Sequence, residues 1–325
     1  MYLVPSSTHI IPVHPSTDGY DVQKLVVDTH SFPGTNSTNK MVFMFSHSNG
    51  FHKESLHPLM KRLVDSLRTI KAYDQTDLLL VSWDARNHGD SARLNQGTFL
   101  NSYRWFDNAM DTKQVVDQLK LKDHLLILVG HSFGASSAIL CEFFFPNTFD
   151  GLCVIEPVMS NIFLDAKLAS QVPVLASLRR RDEWPTREAC RASLLTKKFF
   201  QLLHPEVLDL YVEYGMYDTE QGTVKLKCPR EQEYHVFRYA TYDTNTARRS
   251  LALIKVPIHF VYALGSSFVR RQDAASVINL NKDRITLEFV EGTHMAPNET
   301  PDIIVPHILK TIKRVHKEKT NISRL

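Results

Sequence analysis

A serine at 132, a histidine at 294 and an acid between them are residues whose types and order could carry out acyl transfer. That reaction needs a nucleophilic hydroxyl, a base for its proton, a group that orients the base, and N–H donors for the oxyanion. Ser132 is the centre of Gly130-His131-Ser132-Phe133-Gly134. The apolar run His124-Leu125-Leu126-Ile127-Leu128-Val129 precedes it, and the small-residue stretch Ala135-Ser136-Ser137-Ala138-Ile139-Leu140 follows. The pattern reads as a strand turning sharply into a helix, which strains the serine backbone and holds its hydroxyl clear of the sheet edge. Glycines suit the flanking positions, where a side chain would collide with helix or strand.

The base expected for Ser132 is His294, in Glu291-Gly292-Thr293-His294-Met295-Ala296-Pro297. It falls after the last predicted strand and before the final helix, and so hangs on the same carboxyl edge. The chain has 15 histidines, and position, not type, singles this one out. The oxyanion donors are expected to be backbone N–H groups: Phe133, next to the nucleophile, and Asn49 in the loop Ser46-His47-Ser48-Asn49-Gly50-Phe51.

Two places can supply the acid. Glu156 closes the apolar strand Leu152-Cys153-Val154-Ile155, and a carboxylate buried there needs a partner. After Ile258-His259-Phe260-Val261-Tyr262 the chain reads Ala263-Leu264-Gly265-Ser266-Ser267-Phe268, with serines where an aspartate would be expected, and Asp273 comes several residues later. Glu156 is the preferred acid and Asp273 the alternative. Asp84-Ala85-Arg86-Asn87-His88-Gly89-Asp90-Ser91 reads as a structural loop held by Asp84 and Arg86, with His47, His88 and His131 as scaffolding.

The elements that must position these groups follow a βα rhythm. Thr8–Val13 and Gln23–Asp28 form a β-rich start, and Met41–Phe45 and Asp77–Trp83 are non-alternating apolar runs of the kind buried on both faces. Leu56, Leu59, Met60, Leu63, Leu67 and Ile70 recur at helical spacing, and a second helix is predicted over about 106–120. Strands at 152–155, 258–262 and 285–290 and a closing helix from about 301 to 315 complete it. The class is α/β: a mostly parallel sheet with helices on both faces. Between 160 and 246 the rhythm stops in a charged, helical, aromatic-rich stretch. The expected organisation is a core from 1–159 and 247–325 with an inserted helical cap at 160–246.

Composition narrows the function. Hydrophobic content of 43%, 22% charged residues and a net charge of +3 suit a globular protein and give no basic stripe for nucleic acid. Cys141, Cys153, Cys190 and Cys228 have no paired spacing that would suggest zinc or redox chemistry, so no metal and no cofactor are expected. No segment reaches the ~18–20 apolar residues of a membrane span. The start lacks a secretory signal pattern, so the sequons at Asn36, Asn298 and Asn321 read as chance matches in a soluble, intracellular protein. Ser323-Arg324-Leu325 follows the small-basic-leucine pattern of a peroxisomal address, which predicts recognition by the import receptor and a place in the peroxisomal matrix.

With these motifs together, the chain resembles the α/β-hydrolase superfamily over essentially its whole length. Through Glu156-Pro157 and the C-terminal tripeptide it is similar to fungal peroxisomal α/β-hydrolases, which include a peroxisomal lipase and enzymes of host-selective toxin synthesis. The resemblance implies an α/β-hydrolase fold, Ser132 as nucleophile, His294 as base, and N–H donors at Phe133 and Asn49. The chain departs from the family at His47-Ser48, where His-Gly is usual, and in lacking the frequent aspartate after the penultimate core strand. The expected activity is a lipase- or esterase-like serine hydrolase acting on an ester or thioester of an apolar acyl group, which 18 Phe and 11 Tyr could enclose. A non-catalytic binding protein of the same fold and a carbon–carbon bond hydrolase are the alternatives. Epoxide hydrolysis and dehalogenation need a carboxylate where Ser132 stands.

Overall fold

The computed structural model describes residues 2–35, 40–159, 172–269 and 271–322. The C-terminal tripeptide, Asn36 and the beginning of the expected cap lie outside the described residues. In chain order the strands are β1 (Ser7–Pro12), β2 (Lys24–Phe32), β3 (Lys40–Ser46), β4 (Asp77–Trp83), β5 (Leu125–His131), β6 (Gly151–Ile155), β7 (Glu183–Trp184), β8 (Met216–Asp218), β9 (Val224–Leu226), β10 (Ile258–Ala263) and β11 (Ile285–Val290). The helices are α1 (His57–Arg68), α2 (Gly89–Leu94), α3 (Trp105–Gln118), α4 (Phe133–Phe144), α5 (Val172–Arg179), α6 (Arg187–Leu195), α7 (Lys198–Gln201), α8 (Pro205–Tyr214), α9 (Arg230–Arg238), α10 (Ala240–Ser250), α11 (Arg271–Ser276), α12 (Ala296–Glu299) and α13 (Val305–Ile322).

The main sheet has eight strands in the order β1-β2-β4-β3-β5-β6-β10-β11. From β4 to β11 all neighbours are parallel, while β1 and β2 pair antiparallel at one edge. The apolar runs form β3 to β6, whose side chains are buried on both faces, as parallel strands under two helix layers require. One face packs Val42, Met44, Leu128 and Val154 against α3, α4 and α10, and the other packs Phe43, Phe45, Ile127 and Val261 against α1 and α13. Strand order reverses at β3, because the chain runs outward to β4 and then returns across β3 to β5. A crevice at the carboxyl ends of β3 and β5 is the expected ligand position in such a sheet.

The register aligns the strand ends that bear the site. Ser46 pairs with Gly130, His131 with Ile155, Ile155 with Val261, and Ala263 with Val290. Ser132 N–H continues the ladder to the Ile155 carbonyl at 2.9 Å, and Glu156 N–H to the Val261 carbonyl at 2.8 Å.

The described part of the segment between β6 and β10 carries α5 to α10 and also a three-stranded antiparallel sheet, β7-β9-β8. Strands of two or three residues carry no period that sequence reading can detect. Its own apolar core, which includes Trp184, Leu208, Tyr211 and Leu226, incorporates Phe51 and Met295 from the two loops beside the expected site. At its end, Asp243 accepts Trp105 N–H at 3.0 Å and Trp105 Nε1–H reaches the Val236 carbonyl at 2.8 Å, so α9 and α10 are anchored to the main body.

All four cysteines are buried and unpaired. Asn298 is also buried, its amide donating to the Ser55 carbonyl at 3.3 Å. Among the described residues no helix is long and apolar enough to cross a membrane.

Candidate active site

Ser132 joins β5 to α4 at φ +53°, ψ −113°, a conformation costly for any residue with a Cβ, on the order of 1–3 kcal/mol. Both flanking glycines are sterically required. A Cβ at Gly130 would lie 2.7 Å from Ala135 Cα, and one at Gly134 would lie 2.5 Å from the Ser46 carbonyl oxygen. The sharp turn thus depends on α4 packing directly onto the end of β3. It leaves Ser132 at 8% exposure.

His294 Nε2 lies 2.8 Å from Ser132 Oγ, and its Nδ1 lies 2.8 Å from Glu156 Oε2. These contacts span 162 and 138 residues of sequence. Both ring nitrogens of His294 are therefore engaged, and Asp273, half-buried in the first turn of α11, is not a partner of either. The arrangement can pass the Ser132 proton to Nε2 while the carboxylate holds the Nδ1–H tautomer and stabilises the imidazolium that forms.

Glu156 is fully buried and strained at φ +50°. Its Oε1 accepts Ala263 N–H at 2.6 Å, and its Oε2 accepts the Ser266 hydroxyl at 2.5 Å. These donors, with His294, supply the partners that a buried carboxylate requires. Sequence reading gave Ser266 no role. The signal available was its position in the loop after β10, where an acid is frequent: here a hydroxyl donor fills it and supports an acid from the neighbouring strand.

The His294 loop is braced twice. His131 Nε2 donates to the His294 carbonyl at 2.8 Å, and Glu299 accepts Thr293 N–H at 2.9 Å and the Thr293 hydroxyl as well. Burial and the neighbouring His294 push His131 down to about 3, so its ring is neutral. Phe268, 44% exposed, lies with its ring 4.3 Å from the His294 imidazole and forms an apolar wall on the solvent side.

Phe133 is the first residue of α4, so its N–H has no partner within the helix and lies at the positive end of the helix dipole. Asn49 lies in the loop after β3, its side-chain amide donating to the Glu233 carbonyl of α9 at 3.1 Å. Gly50, at φ +78°, donates its N–H to His88 Nε2 at 2.9 Å, and His88 Nδ1–H reaches Asn87 Oδ1 at 2.7 Å. Burial, with His47 and Arg180 adding to it, holds His88 well below its usual range, which keeps Nε2 free to accept. His47 works in the same way: its Nε2 accepts Ala85 N–H at 3.0 Å, and burial pushes it down to about 4. His47 and His88 are thus neutral braces that tie the loop after β3 to the loop after β4.

The Asp84 loop is structural, as read. Asp84 accepts Lys53 N–H and Asp90 N–H, each at 2.8 Å, and a Cβ at Gly89 would lie 2.3 Å from its carboxylate. Arg86 binds both oxygens of Asp111 in a buried pair. Lys53, 1% exposed, is surrounded by Asp28, Glu54, Asp84 and Asp90 beside the loop after β3.

The eight-stranded sheet, the elbow at Ser132 and the strand-end placement of His294 define an α/β-hydrolase fold. The model of the alpha/beta hydrolase family matches residues 43–306, and the chain belongs to that family. It is 30% identical over 127 residues to the peroxisomal membrane protein LPX1 of Saccharomyces cerevisiae, covering 38% of this chain and 32% of that protein. It is 25% identical over 261 residues to the type I acyl-CoA thioesterase mpaH of Penicillium brevicompactum, covering 71% and 58% of the two chains. The chain thus spans 32% and 58% of these two relatives' lengths. The solved structure of the peroxisomal alpha-beta-hydrolase Lpx1 from the same yeast superposes with a TM-score of 0.78 at 21% identity, over 95% of this chain and 88% of that one.

Proposed function

We propose that this protein is a serine hydrolase that cleaves an ester or thioester of an apolar acyl group through an acyl-enzyme. The observation that carries the reading is the pair of 2.8 Å contacts running from Ser132 Oγ through the His294 ring to Glu156. Ser132 Oγ attacks the acyl carbonyl as His294 Nε2 takes its proton, and the N–H groups of Phe133 and Asn49 receive the oxyanion. His294 returns the proton to the departing alcohol or thiol. Water, activated by the same imidazole, then releases the acid and restores Ser132.

The apolar acyl group is supported by the Phe268 ring beside His294 and by Phe51 and Met295, which join the core of the intervening segment. On this reading residues 160–246 cap the site and residues 1–159 and 247–325 form the core. The thioester arm draws on the relative named as an acyl-CoA thioesterase. A peroxisomal site of action draws on the relatives with peroxisomal names and on Ser323-Arg324-Leu325, the address an import receptor would read.

A fluorophosphonate probe tests the nucleophile: it labels the wild-type protein and not Ser132→Ala. Equal labelling of both would refute covalent chemistry at this site. Rates on p-nitrophenyl esters and acyl-CoA thioesters of increasing chain length separate the two leaving groups. A fluorescent fusion with and without the last three residues tests the address.

A further inference from the structure

A second cluster of chemically capable side chains lies where β10, β11 and α13 meet, in a part of the sheet that the acyl-transfer reading does not use. His259 stands near the start of β10, whereas Ser132, Glu156 and His294 all follow the carboxyl ends of their strands. His259 pairs in register with Thr286, so His259, Thr286 and Glu288 share the face that α13 covers. From α13, His307 enters the same space. His259 Nε2 lies 3.0 Å from His307 Nδ1, and Glu288 Oε2 lies 3.3 Å from that same nitrogen. One ligand atom from each residue lies within 4.8 Å of the other two.

We propose that His259, Glu288 and His307 form a binding site for a divalent transition ion of the zinc class, which fastens α13 to the edge of the sheet. The chemistry of the donor set fits: two imidazoles and one carboxylate are ligands that zinc takes in tetrahedral sites. The spacing fits as well. Ligand atoms at ~2.0–2.1 Å from a tetrahedral ion stand about 3.3 Å apart, close to the two separations already present. His259 has the outer-sphere partner that orients a ligating imidazole, since its other ring nitrogen, Nδ1, lies 2.8 Å from Thr286 Oγ1. Both histidines are buried, at 3% and 6% exposure, while the Glu288 side chain is 40% exposed and opens the cluster to solvent. That opening gives the ion a way in and a water a place as fourth ligand.

The proton balance needs no further reactant. Without the ion, one proton lies between the two facing nitrogens. On binding, the ring that carries it takes the tautomer protonated at its remote nitrogen, and both lone pairs turn to the ion. The cation paired with Glu288 opposes the site: Lys310 Nζ lies 2.5 Å from Glu288 Oε2. Its side chain is 51% exposed and can swing into water at little expense, as exposed ion pairs are weak.

The test uses the full chain, stripped with a chelator and titrated with zinc chloride by calorimetry, and with cobalt(II) followed by visible absorption. The expected result is one equivalent of zinc, a tetrahedral cobalt spectrum and a rise in melting temperature. His307→Ala and Glu288→Gln weaken zinc at least tenfold, and Lys310→Gln tightens it. Glu288→Gln keeps the test valid if His307→Ala loosens the helix, because Glu288 is half-exposed and the change keeps its shape. A wild-type protein that takes up no stoichiometric zinc overturns the proposal, as does Glu288→Gln or His307→Ala binding zinc as tightly as wild type.

Discussion

Ser266 Oγ lies 2.5 Å from Glu156 Oε2, the same carboxylate oxygen that lies 2.8 Å from His294 Nδ1. The hydroxyl and the imidazole therefore share one oxygen, and Ser266 helps to fix the Glu156 carboxylate where it meets the ring. Glu156→Gln presents the wrong hydrogen-bonding partner to Nδ1 and is expected to lower kcat for ester hydrolysis by roughly 10⁴. Ser266→Ala removes one hydrogen bond to a charged group, about 1.5–3 kcal/mol, and is expected to lower kcat roughly 10- to 100-fold. Steady-state kinetics check the order. A Ser266→Ala enzyme as slow as Glu156→Gln, or no slower than wild type, would show that the shared oxygen does not matter.

Gly134 lets α4 approach β3. Its added Cβ would meet Ser46 backbone and side-chain atoms at 2.5 Å and the His47 carbonyl at 2.7 Å, and the two carbonyl oxygens belong to backbone that cannot move aside cheaply. Gly134→Ala is expected to destabilise the fold by about 1–3 kcal/mol through overpacking. It should also slow fluorophosphonate labelling, since the displaced backbone leads into the loop that bears Asn49. Urea unfolding and labelling rates measure the two effects on one preparation.

Lys53 is the sole ammonium buried among Asp28, Glu54, Asp84 and Asp90 within the described residues, with Lys227 reaching Asp90 from outside at 2.6 Å. Burial works against its charge, but Asp84, Glu54, Asp90 and Asp28 outweigh it and hold its pKa well above the usual value. Lys53→Met leaves these carboxylates uncompensated and is expected to cost about 3–5 kcal/mol at pH 7. Lys53 lowers the pKa values of Glu54, Asp84 and Asp90, so without it these three groups take up protons at higher pH and the loss shrinks as pH falls toward 5. Urea midpoints at the two pH values test this, and an equal deficit at both would count against it.

His57 is buried, accepts Leu3 N–H at Nδ1 (3.2 Å), and is pushed down to about 3 by burial. In the unfolded chain it takes a proton near pH 6.5, and in the folded chain it stays neutral down to about 3. Its contribution is therefore present above pH 6.5 and is lost as pH falls through that window. His57→Asn keeps an acceptor for Leu3 and removes the titration. Its unfolding free energy should fall less steeply with decreasing pH, by up to about 1.4 kcal/mol per pH unit near pH 5. Parallel slopes for wild type and variant would refute the assignment.

Much of this molecule is legible in local pattern. The apolar runs of β3, β4 and β5, the helical spacing of α1 and the Gly-x-Ser-x-Gly between strand and helix depend on burial that repeats within a few residues. From them follow the parallel sheet, the elbow at Ser132 and the place of His294 at the same edge. Other features rest on contacts that no short window contains. Glu156 reaches His294 across 138 residues, and Ser266 reaches Glu156 across 110. The strands β7 to β9 are too short to carry a period, and their pairing comes from the packing of the segment around them. His259, Glu288 and His307 stand on three separate elements and have no metal-ligand spacing in the sequence. Short-range periodicity determines which stretches are buried; which polar side chains then meet at a strand end or behind a helix is decided only when the register of the sheet and the docking of its helices bring them within hydrogen-bond reach.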